Sequence, residues 1–329
     1  MVVLGSIGID TIETPYGKVV GGLGGSAVYA ALAALSVSRR AAKVALTSVV
    51  GDDFPDKHRK FLQSQGIALD GLVTVDTPTF RWHGRYQFDM GVAETVKTDL
   101  GSLAYGKEVI TGYQMLLDSP TPGVDKGVTS GYKPSFLLLA NFDPEVQLQI
   151  IQASPQPLAP FVILDTMNFW IKNKNEALRA AIQHVDALVL NENEAREFFG
   201  TPNLVKAGHG ALELGPEYVI IKKGEHGSML FSEHGFFAVP GYPLLSPVDP
   251  TGAGDSFAGS LAGVLAREGF HGTGLKFKGV TFNHMRKAVV YATAVSSFTV
   301  EGMGVSRLAA LKPVEIKERV EVFQKMRQF

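Results

Sequence analysis

The sequence predicts an α/β fold, a mostly parallel sheet covered by helices on both faces. Three observations carry this. Strand-like and helix-like stretches alternate along the whole chain, the strand-like ones are short continuous apolar runs, and glycine turns lead directly into helices rich in small residues. No period of about 20 to 50 residues repeats, which sets aside solenoids and propellers. A chain of 329 residues, 45% hydrophobic and 19% charged, suits one large buried core with at most a small appendage.

Charge and composition exclude several functions. The net charge is −1 and no basic tract interrupts the sequence, so nucleic acid is not an expected partner. No apolar run reaches the roughly 18 residues of a membrane span, which leaves a cytoplasmic protein with no membrane partner as the expectation. Cysteine is absent, which removes disulfides, thiolate catalysis and cysteine-ligated zinc.

In chain order, residues 1–8 read as the first core strand, delivering Asp10 to the C-terminal edge of the sheet, where α/β proteins keep their ligands. Gly21-Gly22-Leu23-Gly24-Gly25-Ser26 then opens a helix of small residues. Residues 43–50 are a second buried strand; in its exit, Gly51-Asp52-Asp53-Phe54, Asp52 reads as a helix cap. From about 70 to 101 the pattern alternates. Phe80 and Trp82 fall on one face and Arg81, His83 and Arg85 on the other, so only one row can face a ligand. Gly101-Ser102-Leu103-Ala104-Tyr105-Gly106-Lys107-Glu108 imitates a phosphate loop, but Glu108 stands where a metal-binding hydroxyl is required. Residues 118–134 are a loop, an expected surface insertion.

Two further apolar strands, 135–140 and 161–165, bring Asn141, Asp143, Thr166 and Asn168 to the same rim as Asp10. Asp143 is expected as a helix cap and Asn168 as a substrate contact. The strand at 186–190 ends in Asn191-Glu192-Asn193-Glu194. Asn191 as cap with Glu194 at the third helical position makes a capping box; the magnesium role of this pair is what the resemblance named below implies. A hairpin follows, with Lys222, Gly224 and Gly227 at its turn; the lysine can reach a phosphate or point to solvent.

Asp249-Pro250-Thr251-Gly252-Ala253-Gly254-Asp255 is the stretch that organises the rest. Its small residues let backbone N–H groups approach an anion. The helix that starts at once adds orphan donors and the positive end of its dipole, with Asp255 at the mouth. Beyond it come a long helix at 283–298, a glycine loop at 301–306 containing Gly302 and Gly304, and an amphipathic helix at 313–328.

Asp10 with Gly24-Gly25 and the string from Asp249 to Asp255 together resemble the N- and C-terminal motifs of the ribokinase/PfkB family of carbohydrate and nucleoside kinases. The resemblance covers nearly the whole chain. It implies one ribokinase-like kinase domain over 1–329, a three-layer sandwich with a small β lid inserted at about 12–20 and 70–101. It implies Mg²⁺-dependent phosphotransfer from ATP to a hydroxyl of a sugar or nucleoside, with Asp255 as the base and Gly252, Ala253 and Gly254 as the anion hole. By the same resemblance Asp10, Gly24, Gly25, Ser26, Phe80, Trp82 and Asn168 hold the acceptor. Asn191, Lys222, Gly224, Gly227, Gly302 and Gly304 line the nucleotide, Glu194 holds magnesium through water, and Asp249 with the Thr251 carbonyl forms a monovalent cation site for K⁺. A homodimer through the lid is the expected assembly. Two positions depart from the family pattern: Ser26 stands where many members have Asn, and Lys222 where a small hydroxyl is usual.

Two other readings compete. A non-catalytic sugar or nucleotide sensor has no use for an intact Asp255 and glycine turn, and a dinucleotide oxidoreductase needs a GxGxxG directly after the first strand, which is missing.

Overall fold

The structure is a computed structural model that describes residues 1–38, 41–119, 133–154, 160–268 and 279–326. Most of the loop expected at 118–134 lies outside the described residues. The strands, in chain order, are β1 (Val2–Leu4), β2 (Gly8–Thr14), β3 (Gly17–Gly24), β4 (Val44–Gly51), β5 (Ile67–Val75), β6 (Arg81–Tyr86) and β7 (Ala93–Asp99). They continue with β8 (Phe136–Leu139), β9 (Phe161–Asp165), β10 (Ala187–Asn191), β11 (Tyr218–Lys222), β12 (Ser228–Ser232) and β13 (Gly235–Val239).

Nine strands form one sheet in the order β13-β12-β11-β10-β9-β8-β1-β4-β5. From β11 to β5 every pairing is parallel; the β11–β12 and β12–β13 pairings are antiparallel, so β12 alone runs against the others. Sequences such as Phe-Leu-Leu-Leu in β8 and Phe-Val-Ile-Leu-Asp in β9 are buried throughout because helices cover both faces. One apolar layer gathers Tyr29, Phe257 and Val289, and the opposite one Tyr113, Ile150 and Phe198. The chain moves outward from β1 through β4 and β5 in one direction, and from β8 through β11 in the other. This reversal between β1 and β8 opens a crevice at the C-terminal ends of the strands.

The four-stranded second sheet has the order β3-β2-β6-β7. Its boundaries differ from the sequence expectation. Asp10 belongs to β2 of this small sheet rather than to the end of the first core strand, which stops at Leu4. Residues 67–75, partly assigned to the lid, pair in parallel with β4 as the edge of the large sheet. An edge strand with one open face alternates just as a lid strand does, so periodicity cannot separate them. Among the described residues Asp52 caps no helix: Pro55 holds the cap position of the helix Asp56–Ser64, without a side-chain bond. Asp53 instead accepts from the Thr79 amide at 2.6 Å and from Arg81 at 2.5 Å, pinning the root of β6.

Two helices bring the distant motifs together. Ser26–Ser38 follows the first glycine turn and Ala253–Arg267 follows the second, and they cross where Gly259 and Gly263 meet Ala30 and Ala34. A Cβ on Gly259 would stand 2.1 Å from the Ala30 carbonyl oxygen, so only glycine permits this approach. Among the described residues no helix is long and apolar enough to cross a membrane.

Candidate active site

The glycine turn is built on close contact. Gly252 adopts a left-handed backbone, φ 73°, and a Cβ there would lie 2.3 Å from the ring of Tyr29. The Ala253 amide donates to the Pro250 carbonyl at 3.2 Å, so the tight turn itself consumes this donor, contrary to its expected place in the anion hole. The amides of Gly252 and Gly254 have no hydrogen-bond partner among the described residues. They point from the first turn of a 15-residue helix, a setting that favours an anion. Asp249, fully buried, ties two loops together: Oδ1 accepts from the Thr251 amide at 2.9 Å and Oδ2 from the Gly304 amide at 2.7 Å.

Asp255 is half-buried at this turn. Burial, and then the neighbouring Asp165 carboxylate, push its pKa up to about 7, against the pull of Lys222 and its own backbone amide. Asp10 reaches the same neighbourhood from the small sheet. It is 4% exposed, and its pKa is likewise raised to about 7, first by burial and then by Asp249 and Asp255. Gly24 makes room for it, since a Cβ there would sit 1.8 Å from its carboxylate, and the Gly25 amide donates to it. Among the described residues its Oδ1 and the Tyr29 hydroxyl are buried without hydrogen-bond partners.

On β6 the two rows separate. His83 and Arg85 are held by Glu13 at 3.2 and 2.9 Å, and Arg81 by Asp53. The alternate row turns toward the glycine turn: Phe80 lies on the bare face of Gly8, Trp82 lies over Gly84, and the Tyr86 hydroxyl accepts from Thr251 Oγ1 at 3.2 Å.

The nucleotide side of the rim is formed by strand ends. Asp165 closes β9, Asn191 closes β10 and Lys222 closes β11, with Asn191 opposite Lys222 in register. Lys222 Nζ donates to Asp165 at 2.9 and 3.1 Å. Asn191 and Glu194 form a reciprocal capping box, with the Glu194 carboxylate accepting from both the backbone and the side chain of Asn191. Burial raises the Glu194 pKa to about 7, with Lys222 opposing and Asp165 reinforcing the shift.

Several expected contacts are placed elsewhere or remain uncommitted. Ser26 turns inward, its hydroxyl bonded to the Ser6 amide and to the Asn141 carbonyl, both at 3.0 Å; it holds the β1 exit rather than facing the cleft. Gly227 is required by the Val239 carbonyl, 2.0 Å from where its Cβ would be, whereas Gly224 is an exposed left-handed turn with open space around it. Gly302 packs against Arg307. Asn168, half-buried, makes no side-chain hydrogen bond among the described residues. Sequence reasoning did not single out Asp165, Tyr29 or Tyr86. The signals were present: Asp165 is a charge ending an apolar strand, and Tyr86 shares the parity of Phe80 and Trp82.

A family model described as "pfkB family carbohydrate kinase" matches residues 129–310. A cytidine kinase of Thermococcus kodakarensis is 27% identical over 272 residues, covering 80% of this chain and 87% of that protein. A nucleoside kinase of Methanothermobacter thermautotrophicus is 27% identical over 279 residues, covering 84% and 78%. The Arabidopsis thaliana ribokinase structure, complexed with ribose and ATP, superposes with a TM-score of 0.71 at 19% identity, covering 97% of this chain and 98% of that one. The large parallel sheet and the helices around it thus have their counterpart in a solved ribokinase, and the chain belongs to the pfkB family of carbohydrate kinases, phosphotransferases that act on a hydroxyl group.

Proposed function

We propose that the protein transfers the γ-phosphoryl group of ATP to a hydroxyl of a nucleoside. The observation that carries this is the convergence of Asp10 and Asp255 on a turn whose Gly252 and Gly254 amides are uncommitted. Asp10 holds the sugar hydroxyls, the two amides receive the transferred group, and Asp255 takes the proton. The acceptor oxygen bonds to the γ-phosphorus as the bond from that phosphorus to the bridging oxygen breaks. ADP leaves with the bridging electron pair, and the acceptor's proton passes to the Asp255 carboxylate. A base with a pKa near 7 is well matched to that task.

Hard oxygens and surplus negative charge fit a hydrated magnesium ion: Asp165, Glu194 and Asp255 surround the single ammonium of Lys222. Glu194 is the residue that would hold the ion through water. Magnesium, when bound, offsets the charge of the triphosphate. A monovalent cation at Asp249 and the Thr251 carbonyl belongs to the same reading; exchanging potassium for tetramethylammonium with no change in turnover removes it.

The nucleoside is favoured over a free sugar by the aromatic row of β6, where Trp82 offers a flat face for a base, and by the names of the two relatives. Val20 on β3 and Phe88 and Val92 in the turn between β6 and β7 are each at least 70% exposed, and a second copy of the chain is the occupant we assign to them. A coupled assay with ATP and Mg²⁺ over nucleosides, free sugars, inositols and sugar phosphates tests the reading. Turnover of free sugars alone overturns the nucleoside assignment, and binding without turnover across the panel favours a sensor.

A further inference from the structure

We propose that Lys222 is a catalytic residue that contacts the transferred phosphoryl group from beneath Gly254, and that Asp165 is the positioning residue that holds its ammonium there. This rests on the kinase reading and names a charge within its anion site. The two side chains come from the ends of β9 and β11, separated in the sheet only by β10. Asp165 is 4% and Lys222 14% exposed at the side chain, so the ammonium is nearly enclosed yet open on one side. Nζ lies 3.1 Å from the point where a Cβ on Gly254 would stand, so the ammonium sits against the bare backbone of the turn, and a side chain there would displace it by a few tenths of an ångström.

A purely structural role explains this placement poorly. An ammonium at the N-terminus of a helix opposes the dipole, and the uncommitted amides of Gly252 and Gly254 add further positive character. Asp165, Glu194 and Asp255 offset the lysine, yet among the described residues no acceptor takes the Gly252 and Gly254 amides. A phosphoryl group at the turn would satisfy both. The ammonium carries three protons, and the two oxygens of Asp165 leave at least one to be donated to a phosphoryl oxygen. Lysine at 222 and aspartate at 165 thus form one unit against the backbone of Gly254, in which the carboxylate fixes the cation.

The test uses Lys222→Met, Asp165→Asn and the double variant, each titrated calorimetrically with ADP and with the non-hydrolysable analogue AMP-PNP in the presence of Mg²⁺, beside its thermal midpoint. Removing one member of a buried ion pair strands the other charge, so Lys222→Met lowers the midpoint and the double variant recovers part of it. Lys222→Met and the double variant lose about tenfold or more in AMP-PNP affinity, while ADP affinity changes by less than about threefold, as expected for a lost charge-assisted bond to the γ-phosphoryl group. If AMP-PNP affinity recovers together with the midpoint in the double variant, the lysine is only a partner for Asp165 and the proposal fails. If ADP and AMP-PNP weaken equally, the contact is not to the transferred group and the proposal also fails. A wild-type protein that binds neither nucleotide overturns the kinase reading itself.

Discussion

The hydroxyl of Tyr86, at the end of a strand in the small sheet, accepts a hydrogen bond from Thr251 Oγ1 at 3.2 Å, directly before the glycine turn. The phenol therefore keeps its own proton to donate, in the field of Asp249, Asp10 and Asp255. Burial, ahead of those charges, raises its pKa to about 12, so it stays protonated at neutral pH. Tyr86→Phe keeps the ring and removes the link. We expect KM for the acceptor to rise about tenfold and ATP hydrolysis without acceptor to increase relative to phosphotransfer, because the small sheet no longer latches over the turn and admits water. Steady-state kinetics with and without acceptor check this; unchanged ratios would remove Tyr86 from the latch.

Asp255 is expected to act as the base only when ionised. Asp255→Asn is isosteric, so the variant should fold normally and lose phosphotransfer by about a hundredfold or more. In the wild type, kcat/KM should climb as pH rises through about 7, the value to which burial and then Asp165 raise this carboxyl. A flat profile between pH 5.5 and 8.5, or retained turnover in the variant, would assign the proton to another group.

How much of this was legible in the sequence depended on what each residue's neighbours are. The rim was readable because β9, β10 and β11 are unbroken apolar runs that stop at Asp165, Asn191 and Lys222, and a buried parallel strand can end in polar residues only where helices no longer cover it. The small residues of the two motif helices were visible, but their crossing at Gly259 and Ala30 is a tertiary fact that local pattern does not contain. Ser26 shows the opposite limit. Its place after a glycine turn suggested the ligand, yet its side chain faces the buried Ser6, a choice set by the β1 exit, 20 residues away in sequence, rather than by its own neighbours. Asn191 and Glu194 satisfied two patterns at once, and the structure realises the capping box.

Asp10 should make the protein less stable at high pH. Its pKa lies near 3.8 in an unfolded chain and about 7 in the folded one, so between those values the folded state binds more protons. Stability from this group is present at low pH and is lost as pH rises through that window. Asp10→Asn keeps the acceptor for the Gly25 amide and removes the buried charge. The variant should melt roughly 2–4 °C above the wild type at pH 8, with the difference vanishing near pH 4, while acceptor binding is lost. Calorimetric melting at both pH values checks the sign; a variant less stable than wild type at pH 8 would show that Asp10 is stabilised as an anion.

Gly252 and Gly224 both have left-handed backbones, φ 73° and 53°, but only Gly252 is crowded. An alanine at either position incurs backbone strain of about 1 kcal/mol or more. At 252 the added methyl also meets the Tyr29 ring at 2.3 Å, and that ring is fully enclosed in the core, so the turn must lift away from it. At 224 nothing lies within 4 Å. Gly252→Ala should therefore cost about 1–3 kcal/mol beyond Gly224→Ala in denaturant unfolding and should abolish phosphotransfer, because a lifted turn misdirects the amides of 252 and 254. Gly224→Ala should retain most of its activity. Equal losses in the two variants would mean that the backbone conformation alone, and not the packing of Tyr29 beneath the turn, sets the geometry of the anion site.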